Sequence, residues 1–273
     1  MKSRTGKSWA TLTPSRILFL ATGLLLLLAL AWPQVTGTAR GSDTVASAWE
    51  RAREAGAYRF SADVRQTTIP QPTVRNVGRA SKTQAVHLEG ETDLPAHQLH
   101  LTLWSQGGSV LDTASGVEIR VDGERAYARQ GTQDWQEINN FAELFAPQGD
   151  FMAFLAAARN VQREDTVPDA SRFTFDIDGR AYAAYLRDQM TRYLAERGEL
   201  PPGVELDLPK SYVDMTGDGE LWLDAAGYPL RQILRLRFPP RPDEHEIHAE
   251  VTVDFDFSMP PPSSLTLDGS RFT

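Results

Sequence analysis

From Ile247 to Phe257 every second residue is apolar: Ile247, Ala249, Val251, Val253, Phe255 and Phe257. Between them stand His248, Glu250, Thr252, Asp254 and Asp256. Side chains along a strand alternate between two faces, so this run reads as one long strand with a dry side and a wet side. Tyr58, Phe60, Ala62 and Val64 alternate with Arg59, Ser61, Asp63 and Arg65 in the same way near the start of the chain. Strands of this kind belong to an antiparallel sheet that is solvated on one face and covered on the other.

The rest of the chain fits around that sheet. "HQLHLTLW" places Leu99, Leu101 and Leu103 on one face, and residues 117–138 read as three short strands. "DG" at 122 and 123 marks the first turn between them, and Gly131 lies in the second. Residues 74–91 carry a weaker strand pattern after the break at Pro70 and Pro72. "RFTFDID", Leu221 with Leu223, and the set Leu230, Gln232, Leu234, Leu236 and Phe238 add further strands.

Three regions have helical spacing instead. Val45, Ala48, Trp49 and Ala52 share a face over residues 44–55, which Gly56 ends. Phe141, Leu144, Phe145, Phe151, Phe154 and Leu155 suggest two short helices around a break at Pro147 to Gly149. Asp178 caps a helix over 180–197 with a stripe of Tyr182, Tyr185, Leu186, Met190, Tyr193 and Leu194, and Gly198 stops it. Many strands with few helices predict a single α+β domain over residues 44–258. The proline- and serine-rich tail, 259–273, reads as disordered.

Ahead of the domain, Lys2, Arg4, Lys7 and Arg16 precede the uncharged run Ile17 to Trp32. Residues 1–39 therefore read either as a signal peptide, cleaved after Ala39, or as a retained signal anchor that holds the chain on a membrane. Both place the domain outside the cytoplasm. The net charge of −8 and the lack of a basic stripe argue against nucleic acid as a partner. The chain has no cysteine, which removes disulfides, thiolate metal sites and lipid attachment through a cysteine thiol.

"DMTGDGELWLD", 214–224, resembles a calcium loop on first sight. A calcium loop that starts at Asp214 needs an acid at Thr216 and a glutamate at Ala225, and it has neither. The stretch reads better as a glycine turn that opens a strand, with "DAAGYP" turning into the next one. His87, His97, His100, His245 and His248 form no metal motif. No nucleophile elbow, phosphate loop or dinucleotide fingerprint occurs, so no enzyme and no cofactor is expected.

"VDGERAYARQGTQDWQEI" and "GELWLDAAGYPLRQILRLRF" resemble segments of the LolA-like and LppX-like lipoprotein-carrier superfamily. Their order behind an exported leader and an N-terminal helix is also similar. The resemblance covers roughly residues 44–258. It implies a curved antiparallel half-barrel with helices packed on its concave face and an apolar cavity between them. It also implies a lipid or an acylated protein as partner, with candidate lining residues Leu99, Leu101, Leu103, Phe151, Phe154, Leu155, Val251, Val253 and Phe255. The chain departs from the acylated carriers in lacking the cysteine. The helix over 180–197 and the loop after it look like an insertion. The expectation is a non-enzymatic, extracytoplasmic lipid- or lipoprotein-binding protein. The alternative is a membrane-anchored sensor or interaction module on the same fold.

Overall fold

The computed structural model describes residues 40–258 except 97, 107–115, 124, 139–149, 168–169 and 241–244. The expected leader Ile17 to Trp32, the expected cleavage site at Ala39, the tail, His97 and the expected helix positions Phe141, Leu144 and Phe145 lie outside the described residues. Among the described residues, no helix is long and apolar enough to cross a membrane.

The described part of the chain opens with helix α1, Arg40–Ala55, and Gly56 turns it into strand β1, Ala57–Ile69, through a positive φ of 77°. Ten further strands follow. They are β2 Lys82–Asp93, β3 Gln98–Gln106, β4 Val117–Asp122, β5 Arg125–Gln130, β6 Gln136–Glu137, β7 Ala158–Val167, β8 Ala170–Asp178, β9 Thr216–Leu223, β10 Pro229–Phe238 and β11 Glu246–Asp256. Helix α2, Gly179–Glu196, and the single turn α3, Lys210–Val213, separate β8 from β9. All eleven strands join one antiparallel sheet in the order β6-β5-β4-β3-β2-β1-β11-β10-β9-β8-β7. Among the described residues the sheet is open, with β6 and β7 at its edges.

The period of two sorts residues across the whole sheet as well as along each strand. One row of paired positions runs Val117, Leu103, Leu88, Ala62, Val253, Gln232, Leu221 and Phe173 across eight strands. Its members face inward, and all but Val117 are buried. The row one residue away runs Arg129, Glu118, Thr102, Glu89, Ser61, Asp254, Arg231, Trp222 and Arg172 on the outer face.

The helices cover the inner face. α1 lies against β1, β10 and β7 and presents Val45, Ala48, Trp49 and Ala52 to the core. In a flat sheet β1 and β7 would be about 24 Å apart, at ~4.8 Å per strand. A curved sheet fits a single helix that touches both. Curvature also brings residues above neighbouring strands. An added methyl at Gly219 would overlap the Phe175 ring, and one at Gly90 would overlap the His100 carbonyl and the Phe60 ring. Glycine inside a strand marks such close approaches.

Several local expectations change. Residues 74–81 are not strand: a 3-10 turn, Val74–Asn76, precedes β2. The second helix expected before residue 161 is a short 3-10 turn, Ala153–Ala157, and the chain then enters β7. β7 is polar because it is an edge strand, so it shows no apolar alternation. It is bulged at Arg159/Gln162 and at Glu164/Val167, and Asn160 adopts a positive φ of 52°. Strand β9 begins at Thr216, so Gly217 and Gly219 lie within the strand and not in a turn before it. A register shift at Pro229/Arg231 turns Leu230 outward, away from the face it was expected to share. In α2 the stripe is rotated: Tyr182 and Gln189 are buried, while Met190 is exposed.

Candidate functional site

The nine expected lining residues come from three segments far apart in sequence. Leu99, Leu101 and Leu103 project from β3, and Val251, Val253 and Phe255 from β11. Phe151, Phe154 and Leu155 belong to the 3-10 turn and the residues leading into it. All nine are buried and belong to one apolar cluster between the sheet and the helices. Aromatic rings tie the parts together. Phe151 meets Phe60 of β1 at 4.4 Å, and Phe154 stacks on Tyr182 of α2 at 4.2 Å.

Polar groups enter this interior at a few points. Gln232 is the polar member of the inner row and is fully buried. Its amide nitrogen donates to the Phe151 carbonyl at 2.9 Å, which fixes the 3-10 segment over β10. Asp150 is also buried, at the same segment. The indole N–H of Trp49 donates to its Oδ2 at 2.5 Å, and the Met152 backbone N–H donates to its Oδ1 at 2.9 Å. Burial disfavours the charged carboxylate and raises its pKa to about 6, against the two hydrogen bonds and the nearby Arg53 charge. Burial, together with the Asp150 charge, also raises the Tyr58 phenol well above its ordinary value. Tyr182 is raised likewise, first by burial and then by Tyr212, Tyr185 and Asp150. The Tyr58 and Tyr182 hydroxyls have no hydrogen-bond partner among the described residues. Asp150 thus joins α1 to the 3-10 segment, within reach of β1 and α2.

Asp150, Gln189 and Gln232 were not foreseen as interior groups. Gln232 had a visible signal, since it occupies an inward position in an otherwise apolar alternation. Asp150 had none beyond its place between a glycine and Phe151.

The outer face is built differently. Arg235 donates to Asp218 at 2.8 Å and to Glu220 at 2.9 Å, and Arg172 reaches Glu220 at 2.9 Å and Glu164 at 2.5 Å. Burial works against the Glu220 charge, yet the two guanidiniums outweigh it and lower its pKa. His87 lies between Asp63 at 2.9 Å and Glu89 at 3.2 Å, one carboxylate at each ring nitrogen. A neutral ring has one N–H, so this geometry suits the imidazolium. Partial burial lowers the His87 pKa, and the two carboxylates more than reverse that.

An open groove crosses this face, walled by Arg59, Glu89, Glu91, His100, Asp254 and Asp256. Several of its charges are already engaged: Arg59 with Glu91, Glu89 with His87, and Asp254 with Arg231. The acids of "DMTGDGELWLD" are spread along the chain. Asp218 pairs with Arg235, and Asp224 accepts from its own turn at Ala226 and Tyr228. Among the described residues, no three acidic or histidine side chains gather as a metal site requires.

No protein-family model matches the chain, and no curated relative matches it. Three solved structures are distantly similar. A β-barrel-like protein of a domain of unknown function from Brucella abortus is 7% identical, with 73% of this chain and 97% of that one covered and a TM-score of 0.24. The bifunctional dehydratase-cyclase domain in ambruticin biosynthesis is 12% identical, with 87% and 86% covered and a TM-score of 0.16. A porin-like protein from Bacteroides uniformis is 11% identical, with 72% and 95% covered and a TM-score of 0.12. At these TM-scores the likenesses carry no argument about fold or function.

Proposed function

We propose that this chain is a non-enzymatic, extracytoplasmic lipid- or lipoprotein-binding protein. Its curved sheet acts as a half-barrel that holds acyl chains against its inner face. The observation that carries the reading is the meeting of β3, β11 and the 3-10 segment on one apolar surface between sheet and helices. Apolar burial is non-directional and adds about 0.8 kcal/mol per CH₂, so such a surface suits an acyl chain without a specific motif. Opening the interior requires α1 and the 3-10 segment to move off the sheet, and Asp150 is the polar link between them. The leader supports export. Native mass spectrometry of the exported protein, purified without detergent and followed by lipid extraction, tests the reading. A near-stoichiometric acyl lipid is expected. A clean apo mass, with no uptake from membrane extract, would overturn it.

One observation favours a second reading, a membrane-anchored sensor or protein-interaction module. The nine candidate residues are all buried in one apolar cluster, and Phe154 stacks on Tyr182 of α2, in the manner of a filled core. The apo result would favour this module.

A further inference from the structure

The hairpin between β1 and β2 stands apart from the rest of the surface. Among the described residues, β3 pairs with β2 only from Ala85 onward, and Lys82 to Gln84 have no β3 partner. At the tip Val74 is 92% exposed and Val77 81%, whereas no other large apolar side chain among the described residues that is classed as exposed exceeds 44%. Two bare valines within one turn form a small apolar patch, more exposed than any other large apolar side chain described.

The tip is shaped, not loose. Asn76 Nδ2 donates to the Gln71 carbonyl at 2.9 Å, and its backbone N–H donates to the Thr73 carbonyl at 2.9 Å. The Arg79 N–H closes the turn onto the Asn76 carbonyl at 3.0 Å. Pro70 and Pro72 stiffen the entry, and Gly78 supplies a positive φ of 81°. These bonds hold the 3-10 turn that carries Val74, with Val77 at its end.

Charge gives the second observation. No acidic residue occurs between Asp63 and Glu89, although the chain holds 36 acids against 28 lysines and arginines. The same stretch carries Arg65, Arg75, Arg79 and Lys82. In an acidic protein, this turn thus carries its bare valines within a stretch of chain that has cations and no acid.

We propose that this tip seats on an anionic lipid surface, with Val74 and Val77 entering the interface and Arg79 and Lys82 meeting lipid phosphates. Two features favour lipid over a protein partner. A specific protein interface engages about 20–30 residues per side, and this turn spans only residues 70–81. Each cation near an anionic leaflet strengthens binding by about fivefold, and that gain falls with salt. The tip does not depend on the interior holding an acyl chain, so this proposal and the proposed function fail separately.

The chain lacks cysteine, so the full-length V77C variant takes a single environment-sensitive fluorophore. A225C, in the β9–β10 turn at the opposite end of the sheet, serves as the control. Vesicles of phosphatidylcholine alone are compared with vesicles containing roughly one-third phosphatidylglycerol. The expected result is a blue shift and quenching by spin-labelled lipid at position 77 on the anionic vesicles, with position 225 silent. Adding R79Q/K82Q should weaken the response at least about tenfold, and 0.5 M salt should do the same. In the unlabelled chain, V74D/V77D should abolish vesicle binding beyond that of the leader, with an unchanged melting temperature. A silent label at 77, or equal responses at 77 and 225, would overturn the proposal. So would a label that responds only when membrane proteins are added, which would assign the tip to a protein partner.

Discussion

Two neighbouring rows of the same sheet differ by one residue along each strand and by everything in their physics. The inner row, from Val117 to Phe173, is apolar except for Gln232, which spends its amide on the Phe151 carbonyl. The outer row, from Arg129 to Arg172, alternates charge, hydroxyl and indole. Its arginines pair across strands: Arg129 with Glu118, Arg231 with Asp254, Arg172 with Glu220. The inner row is stabilised by exclusion of water and depends on shape. The outer row remains in water, where ion pairs contribute little singly. A change of the same chemical size therefore has very different consequences on the two sides.

Truncating the inner face should produce the largest effect. Phe154→Ala removes the ring stacked on Tyr182 and leaves a cavity under α2, which should cost about 3–5 kcal/mol. Chemical denaturation would read this as a lower midpoint at an unchanged slope; a loss below ~1 kcal/mol would mean that the interior is not packed as described.

The next effect sharpens the contrast by placing charge inside. Asp150 has a folded pKa of about 6, above the ordinary value of 3.8. Between those values the folded protein binds more protons than the unfolded chain, so stability should fall as pH rises from ~4 to ~6 and then level off. A shift of this size corresponds to roughly 2–3 kcal/mol. Asp150→Asn keeps one acceptor oxygen, for either Trp49 or Met152, and turns its NH₂ toward the other N–H, so it should flatten that slope at a lower overall stability. A wild-type stability that is level from pH 4 to 6, measured by urea titration, would contradict the buried acid.

The smallest effect belongs to the outer face. Arg65 meets Glu250 at 3.6 Å, with both side chains about half exposed. Arg65→Gln should change stability by less than about 0.5 kcal/mol. A larger loss would mean that the outer lattice acts as a unit and not as separate pairs.

Much of the sheet was legible because its signal is local. β1, β3 and β11 show the period of two over their own residues, and Asp178 caps α2 by accepting from the Ala181 N–H, as its position before the helix suggests. What escaped depends on non-local geometry. β7 is an edge strand with no dry face to pattern. Leu230 is turned outward by a register shift, which no feature of its own segment announces. Gln189 replaces Met190 in the buried stripe of α2, a helix packed against the 3-10 segment, α3 and β8. The nine interior residues were legible as apolar positions; that they share one surface follows from the strand order, which the alternation alone does not specify. Asp150 was invisible for the same reason, since its partners Trp49 and Met152 meet it only in the folded chain.

The two ends of the sheet bear on how copies of this protein behave toward one another. An open sheet can in principle keep adding strands, since an outermost strand is a ready template for another chain. Here one terminus is the two-residue β6, and the other is β7, bent twice by bulges and turned at Asn160. An incoming strand would find only short, misaligned stretches to pair with. A wide sheet built this way can be concentrated while resisting the edge-to-edge growth that leads to fibrils.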